Sequence, residues 1–381
     1  MNEPVPAPPE ALRLPVEQQV IPALDRIELR VVNLPFVKPF GTSTHVWSCK
    51  EALLVKIEAD GAAGWGECVA DPDPFYSYET TSTARHIITD FLLPLVEPGV
   101  TVGELARRFR HVRGHGMAKA TIENALLDLL ARRQGVGLHA LLGGARKPVP
   151  SGISIGIQES VEALLAAVDE AVAQKYHRVK MKIMRGKDVA WVAAVRERFP
   201  HIALMVDANG DYRLSDAAHL KALDAFGLTM IEQPLSYSDI YQHAVLQRQL
   251  DTPICLDESI HDLDDAWSAM ALGCRVINVK QGRVGGLLES VRIAHLAQER
   301  GVDVWSGGMD ETGIGRAANI HLQTVAGFSL PGDTSETRRY FAEDIVEPPV
   351  VLDGDGWVEV PAGPGIGVQV LSLIHISEPT R

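Results

Sequence analysis

ALMVDAN (residues 203–209), TMIEQP (229–234) and PICLDES (253–259) are short apolar runs that each reach an acid, and those acids, Asp207, Glu232 and Asp257, stand 25 residues apart. One strand with its crossover helix takes about that length, so the spacing predicts three consecutive βα units. The same rhythm continues outward, through RVKMKI (178–183) and SGISIG (151–156) upstream and through RVINVK (275–280) and VDVWSGG (302–308) downstream. Seven such units between residues 149 and 344 favour a closed (β/α) barrel over an open parallel sheet. From Ser160 the pattern is helical, with Val161, Leu164, Leu165, Val168 and Val172 on the face that should pack against the barrel.

The barrel reading places the three acids at the C-terminal ends of neighbouring strands, where barrel active sites are built. Three carboxylates at close range repel one another unless a cation lies among them. All-oxygen ligation suits Mg²⁺ or Mn²⁺ better than Zn²⁺. In RVKMKI, side chains two apart share a face, so Lys180 and Lys182 both point into the barrel while Val179, Met181 and Ile183 point out. Lys280 ends a strand four units further on, half way round an eight-unit ring, and should face Lys182 across the mouth. Burying such lysines without purpose is costly. Close to one another and to a metal, they are expected to lose pKa and to act as bases near neutrality. Their expected task is removal and return of the proton α to a carboxylate, with an enediolate as intermediate.

The remainder of the 381 residues supports a second module. Residues 1–21 carry five prolines and read as an extension. From 22 to 148, strand-like RIELRVVNLPFV and EALLVKIEADGAAGWGEC, with a turn at Asp60-Gly61, precede a helix that carries Ile122, Ala125, Leu126, Leu129 and Leu130 at helical spacing and stops at Gly135. Residues 345–371 return to strand and turn, and are expected to complete this α+β module. The last ten residues, 372–381, continue no pattern and are expected to be non-native.

Thirty-six basic residues against 49 acidic ones give a net charge of −13. No basic stripe with interleaved aromatics is present, which argues against nucleic acid and anionic membranes as partners. Cys49, Cys68, Cys255 and Cys274 form no CxxC pair and read as free thiols of a reducing compartment. With no apolar run of spanning length and no leader pattern, a cytoplasmic protein is expected. A homo-oligomer acting on a small-molecule carboxylate is the expected form. His111 and His115 have helical i, i+4 spacing but no partner acid, and read as surface or packing residues. Walker, GxSxG and strand–GxGxxG patterns are absent.

The ordered set KMK (180–182), DAN (207–209), EQP (232–234), DES (257–259), NVKxGRVGG (278–286), WSGGM (305–309) and ETGIGRAAN (311–319) resembles the muconate-lactonizing-enzyme subgroup of the enolase superfamily. ISIG, LLGG, PGDTS and GPGIGV extend the likeness over about residues 25–370. Within the subgroup the chain is most similar to the o-succinylbenzoate synthase / N-acylamino acid racemase family. The resemblance implies a modified (β/α)₇β barrel under an α+β capping domain. It implies Mg²⁺ or Mn²⁺ on Asp207, Glu232 and Asp257, with Asn209 close by. Lys182 and Lys280 would work on opposite faces of the substrate, Lys180 would tune Lys182, and Glu258 would support Lys280. Ser154 and Gly307-Gly308-Met309 would touch substrate, and a loop with Phe40, Thr42 and Ser43 would close over it. The implied activity is dehydration to o-succinylbenzoate, racemisation of N-acylamino acids, or both. Dipeptide epimerase, muconate cycloisomerase and, in another class, a non-catalytic metal-binding scaffold are the alternatives. Two positions depart from the family: Gln281 stands where a proline is usual, and Asp310 stands where an aliphatic residue is usual. A carboxylate at 310 could repel an anionic substrate tail or favour a polar or cationic one; the alternative is a harmless solvated acid.

Overall fold

The Asp60-Gly61 turn joins β2 (Val46–Ala59) to β3 (Ala62–Cys68), and both turn residues have positive φ, 50° and 75°, as the twist of a two-residue hairpin requires. With β1 (Arg26–Gly41) they form an antiparallel sheet in the computed structural model, which describes residues 12–42 and 45–371. The expectations for Ser43, for the tail 372–381 and for most of the N-terminal extension lie outside the described residues.

The helix Gly116–Gln134 crosses this sheet, burying Ile122, Ala125, Leu126, Leu129 and Leu130, and Gly135 ends it in the left-handed conformation. Its closeness to β3 is set by two glycines. A Cβ at Gly64 would lie 2.1 Å from the Ala125 carbonyl oxygen, and one at Gly66 would lie 2.0 Å from that of Thr121. The C-terminal segment docks on the same helix: the Ile366 N–H donates to Asp128 Oδ1 at 2.7 Å, and Arg132 donates to the Val368 carbonyl at 2.9 Å.

All seven apolar runs form parallel strands hydrogen-bonded in chain order: β4 (Gly152–Ile155), β5 (Arg178–Lys182), β6 (Leu204–Asp207), β7 (Ile231–Glu232), β8 (Ile254–Leu256), β9 (Val276–Val279) and β10 (Asp303–Ser306). The ring is closed by an irregular stave. Phe328 bridges Val304 of β10, and Gly332 bridges Ser151 beside β4, both in parallel sense. Alternation along the strands sorts the side chains. Val179, Met181, Val206, Ile231, Leu256 and Ile277 face the outer helices, while Met205, Met230, Cys255, Val276 and Trp305 fill the interior. Each such fully buried aliphatic side chain contributes roughly 1.5–3 kcal/mol.

The first barrel helix, Val161–Ala173, buries Leu164, Val168 and Ala171, whereas Val172 is 37% exposed. The expected face was therefore drawn too wide. Eight residues beyond Leu164 an α-helix has drifted about 80° from it, and seven residues beyond only about 20°.

Candidate active site

Strand register decides which side chains meet. Lys182 is paired with Asp207, Asp207 with Glu232, and Glu232 with Cys255, two residues short of Asp257. Side chains in register on parallel strands share a face, so Lys182, Asp207, Glu232 and Asp257 all enter the barrel mouth, and Lys180 enters one layer deeper. The three acids are 0–1% exposed.

Charge pairing within this group is dense. Lys180 Nζ stands 2.8 Å from Asp333 Oδ2, 3.1 Å from Glu232 Oε2 and 3.7 Å from Asp207 Oδ2. Lys182 Nζ donates to Asp207 Oδ2 at 2.5 Å and to Asn209 Oδ1 at 2.8 Å. On the far side of the ring, Lys280 Nζ is 3.0 Å from Asp257 Oδ2 and 2.6 Å from the Tyr76 hydroxyl, and Arg283 Nη1 is 2.6 Å from Asp257 Oδ1.

For Lys180 and Lys280 these pairs reverse the expected loss of pKa. Burial does push Lys180 down, but Asp333, Glu232 and Asp207 together hold it well above the usual lysine value. Burial likewise opposes the charge on Lys280, and Asp257 more than offsets it. The acids divide. Burial and then the Asp207 carboxylate push Glu232 far above the usual carboxylate range, whereas Asp207, despite burial, is held low by Lys182 and Lys180. Asp257, also buried, is held low by Arg283 and Lys280.

Whether these residues fit a cation can be judged from their oxygens. The three acids lie near one another: Asp257 opposes the charge on Asp207, and both oppose the charge on Glu232. Glu232 Oε2 and Asp257 Oδ1 are buried without a hydrogen bond; the ammonium and guanidinium near them lie within ion-pair distance only. Three neighbouring buried carboxylates, two of them with an oxygen that has no hydrogen bond, suit a hard divalent cation. As the side chains stand, no three metal-ligating groups among the described residues converge on one point, because Asp207 leans onto Lys182, and Asp257 onto Lys280 and Arg283.

A cleft opens above the group. Lys180, Lys182 and Lys280 line it together with Ser154, Gly308, Met309, Asp310, Phe40 and Thr42. The Ser154 hydroxyl is buried there with no hydrogen-bond partner. Gly307 does not line the cleft. A Cβ on it would lie 2.3 Å from Asn278 Oδ1 and 2.8 Å from Lys280 Cγ, so its lack of a side chain makes room for Lys280. Glu258 accepts from Asn209 Nδ2 at 2.8 Å and favours the charge on Lys280 through its field, while the close contacts of Lys280 are Tyr76 and Asp257. Asn209 thereby ties Lys182 to Glu258, in a left-handed conformation with φ of 44°. Tyr76, Lys50 and Asp71 carry no sequence signal of their place here, whereas Asp333 lies in the PGDTS motif.

Residues 26–143 match the family described as mandelate racemase / muconate lactonizing enzyme, N-terminal domain, and residues 163–372 match the enolase C-terminal domain-like family. The chain belongs to the enolase superfamily. Members of this superfamily use a divalent metal ion, usually Mg²⁺. The chain is 49% identical over 351 residues to an o-succinylbenzoate synthase of Geobacillus stearothermophilus, covering 91% of this chain and 93% of that protein. It is 44% identical over 349 residues to an N-succinylamino acid racemase of Amycolatopsis, covering 91% and 94%. A muconate cycloisomerase of Rhodococcus opacus is more distant, at 29%. Among solved structures, an enolase-superfamily member from Enterococcus faecalis superposes with a TM-score of 0.87 at 45% identity, over 93% of this chain and 96% of that one. Muconate lactonizing enzyme from Pseudomonas fluorescens gives 0.86 at 26%, over 92% and 97%.

Proposed function

We propose that the chain is a metal-dependent enzyme that abstracts the proton α to a carboxylate, acting as an o-succinylbenzoate synthase, an N-acylamino acid racemase, or both. The observation that carries this reading is the entry of Lys182 and Lys280 into one cleft from strands four staves apart, with the three acids between them. Asp207, Glu232 and Asp257 would hold Mg²⁺ or Mn²⁺. Such a cation supplies positive charge beside the substrate carboxylate, where negative charge accumulates as the proton leaves.

Lys182 takes or returns the Cα proton on one face, and Asn209 and Asp207 fix the direction of its Nζ. Lys280 serves the opposite face, aimed by Tyr76 and Asp257. Lys180, surrounded by three carboxylates, places its charge under the bound carboxylate and keeps Lys182 from turning inward. Racemisation needs both outer lysines. Dehydration needs Lys182 first as base for the Cα proton and then as the acid that hands that proton to the hydroxyl leaving as water from the same face, with Lys280 as a cation beside the enediolate. Ser154 supplies a free hydroxyl for the substrate amide or carboxylate, and residues around Phe40 and Thr42 cover the cleft and exclude water. On this reading residues 149–344 are the catalytic barrel, capped by 22–148 with 345–371.

No helix among the described residues is long and apolar enough to cross a membrane. Free cysteines support the cytoplasm as the working compartment, and a homo-oligomer is the proposed assembly.

Incubation with N-acyl amino acids and Mg²⁺ in deuterated water tests the reading. Deuterium at Cα with loss of optical activity marks the racemase, and formation of o-succinylbenzoate from its cyclohexadiene precursor marks the synthase. Neither event with any carboxylate offered would leave a metal-binding scaffold.

A further inference from the structure

The cleft is also lined by Phe36, Phe40, Trp47 and Tyr340 and by Lys50, Asp71 and Asp310. The charges that act most on Asp310 are those of Lys50, Glu311, Asp71 and Arg316 rather than of the strand-end lysines. Lys50 is 2% exposed, and its three N–H bonds are fully used. They go to the carbonyls of Val69 at 3.0 Å and Met309 at 3.1 Å and to Asp71 Oδ1 at 3.3 Å. The charge of Lys50 is therefore matched by Asp71.

Other acids around the cleft have close partners as well. Asp333 is held by Lys180 and Arg178, Glu311 by Arg316 and Asn319, and Glu67 by Thr312 and Gly315. Asp310 is the exception. Among the described residues its carboxylate takes part in no hydrogen bond or ion pair, and it meets Lys50 and Arg316 only through the longer-range field. Burial, the largest influence on it, pushes its pKa up, and Glu311 and Asp71 add to the push. Asp310 is partly exposed, so a guest in the cleft can reach it; an unpaired carboxylate there gains from a cation, and aromatic faces in the same cleft favour the same kind of guest.

We propose that Asp310 determines specificity by receiving a cationic group at the end of the substrate remote from the reacting carboxylate, so that N-acyl amino acids with an ammonium or guanidinium side chain are the preferred class. This rests on the racemase reading of the site. A neutral side chain leaves Asp310 as it finds it. A second carboxylate on the substrate is opposed by it.

The backbone at Asp310 has φ of 53°, a left-handed conformation that asparagine also tolerates. Asp310→Asn therefore removes the charge with little change of shape. The test compares kcat/KM for racemisation of N-acetyl-lysine, N-acetyl-norleucine and N-succinyl-norleucine by the wild type and by Asp310→Asn. The wild type is expected to favour the lysine derivative over the norleucine derivative by about tenfold or more, the scale of one charge-assisted hydrogen bond. In the variant that ratio falls toward one, and the succinyl substrate improves relative to the acetyl one. A wild-type ratio near one, or a preference that survives in the variant, overturns the assignment. The wild-type comparison alone decides if the variant does not fold. Racemisation of all three at similar rates defeats only this proposal, whereas no exchange with any of them defeats the racemase reading and the proposal together.

Discussion

The Tyr76 hydroxyl lies 2.6 Å from Nζ of Lys280, so a residue of the capping module aims an amine carried by the barrel. The same oxygen is 3.3 Å from Asp257 Oδ2, which makes it a link between amine and acid. Tyr76→Phe is expected to slow exchange on the Lys280 face by about 10²-fold, the lower end of what a positioned proton-transfer group contributes. The loss should appear with one antipode of the substrate and stay within a few-fold with the other. Equal loss with both would make Tyr76 a structural residue of the whole mouth.

Mutual repulsion among Asp207, Glu232 and Asp257 should make a divalent cation a stabiliser of the fold. At a free Mg²⁺ concentration of about 100 times its Kd, the expected gain is about 2.7 kcal/mol, readable as a rise in Tm. Glu232→Gln removes one ligand charge and should abolish most of that rise, and chelation should bring exchange to background. A Tm indifferent to Mg²⁺ and Mn²⁺ would remove the cation from the account.

Glu123 joins the two modules in a way that pH should reveal. From the capping helix it accepts the Leu288 N–H at 3.0 Å, covering the start of the barrel helix Leu287–Arg300, whose cap residue Gly286 has no side chain to do so. Burial raises its pKa to about 7. Below about pH 4.5 the carboxyl is protonated whether the chain is folded or unfolded, and nothing is lost. Between about 4.5 and 7 the unfolded chain releases its proton first, so stability falls as pH rises through that window, by up to about 3 kcal/mol. Glu123→Gln keeps an acceptor and should flatten this slope in urea melts between pH 4.5 and 8. An unchanged slope would show that Glu123 is ionised in the fold without penalty.

The seven strands were legible because each is an apolar run, and Asp207, Glu232 and Asp257 were legible because equal spacing carries strand parity from unit to unit. Lys180 and Lys182 followed from alternation within one strand. The closing stave at 328–332 was not, since its bridges to Val304 and Ser151 come from a bent segment without alternation. Tyr76, Lys50 and Asp71 escaped because they reach the cleft from the capping module, and no spacing along the chain encodes how two modules dock. Lys180 stands above rather than below the usual lysine value because Asp333, directly after that irregular stave, adds its charge to those of Glu232 and Asp207.

Exchange from each face separately is the most direct test. Lys182→Ala and Lys280→Ala, each incubated with the two antipodes of one N-acyl amino acid in deuterated water, should each retain wash-in of deuterium with a single antipode, and with opposite ones, while neither racemises. Racemisation that survives in Lys280→Ala, or loss of exchange from the same antipode in both variants, would contradict a proton passed between amines on opposite sides of the substrate.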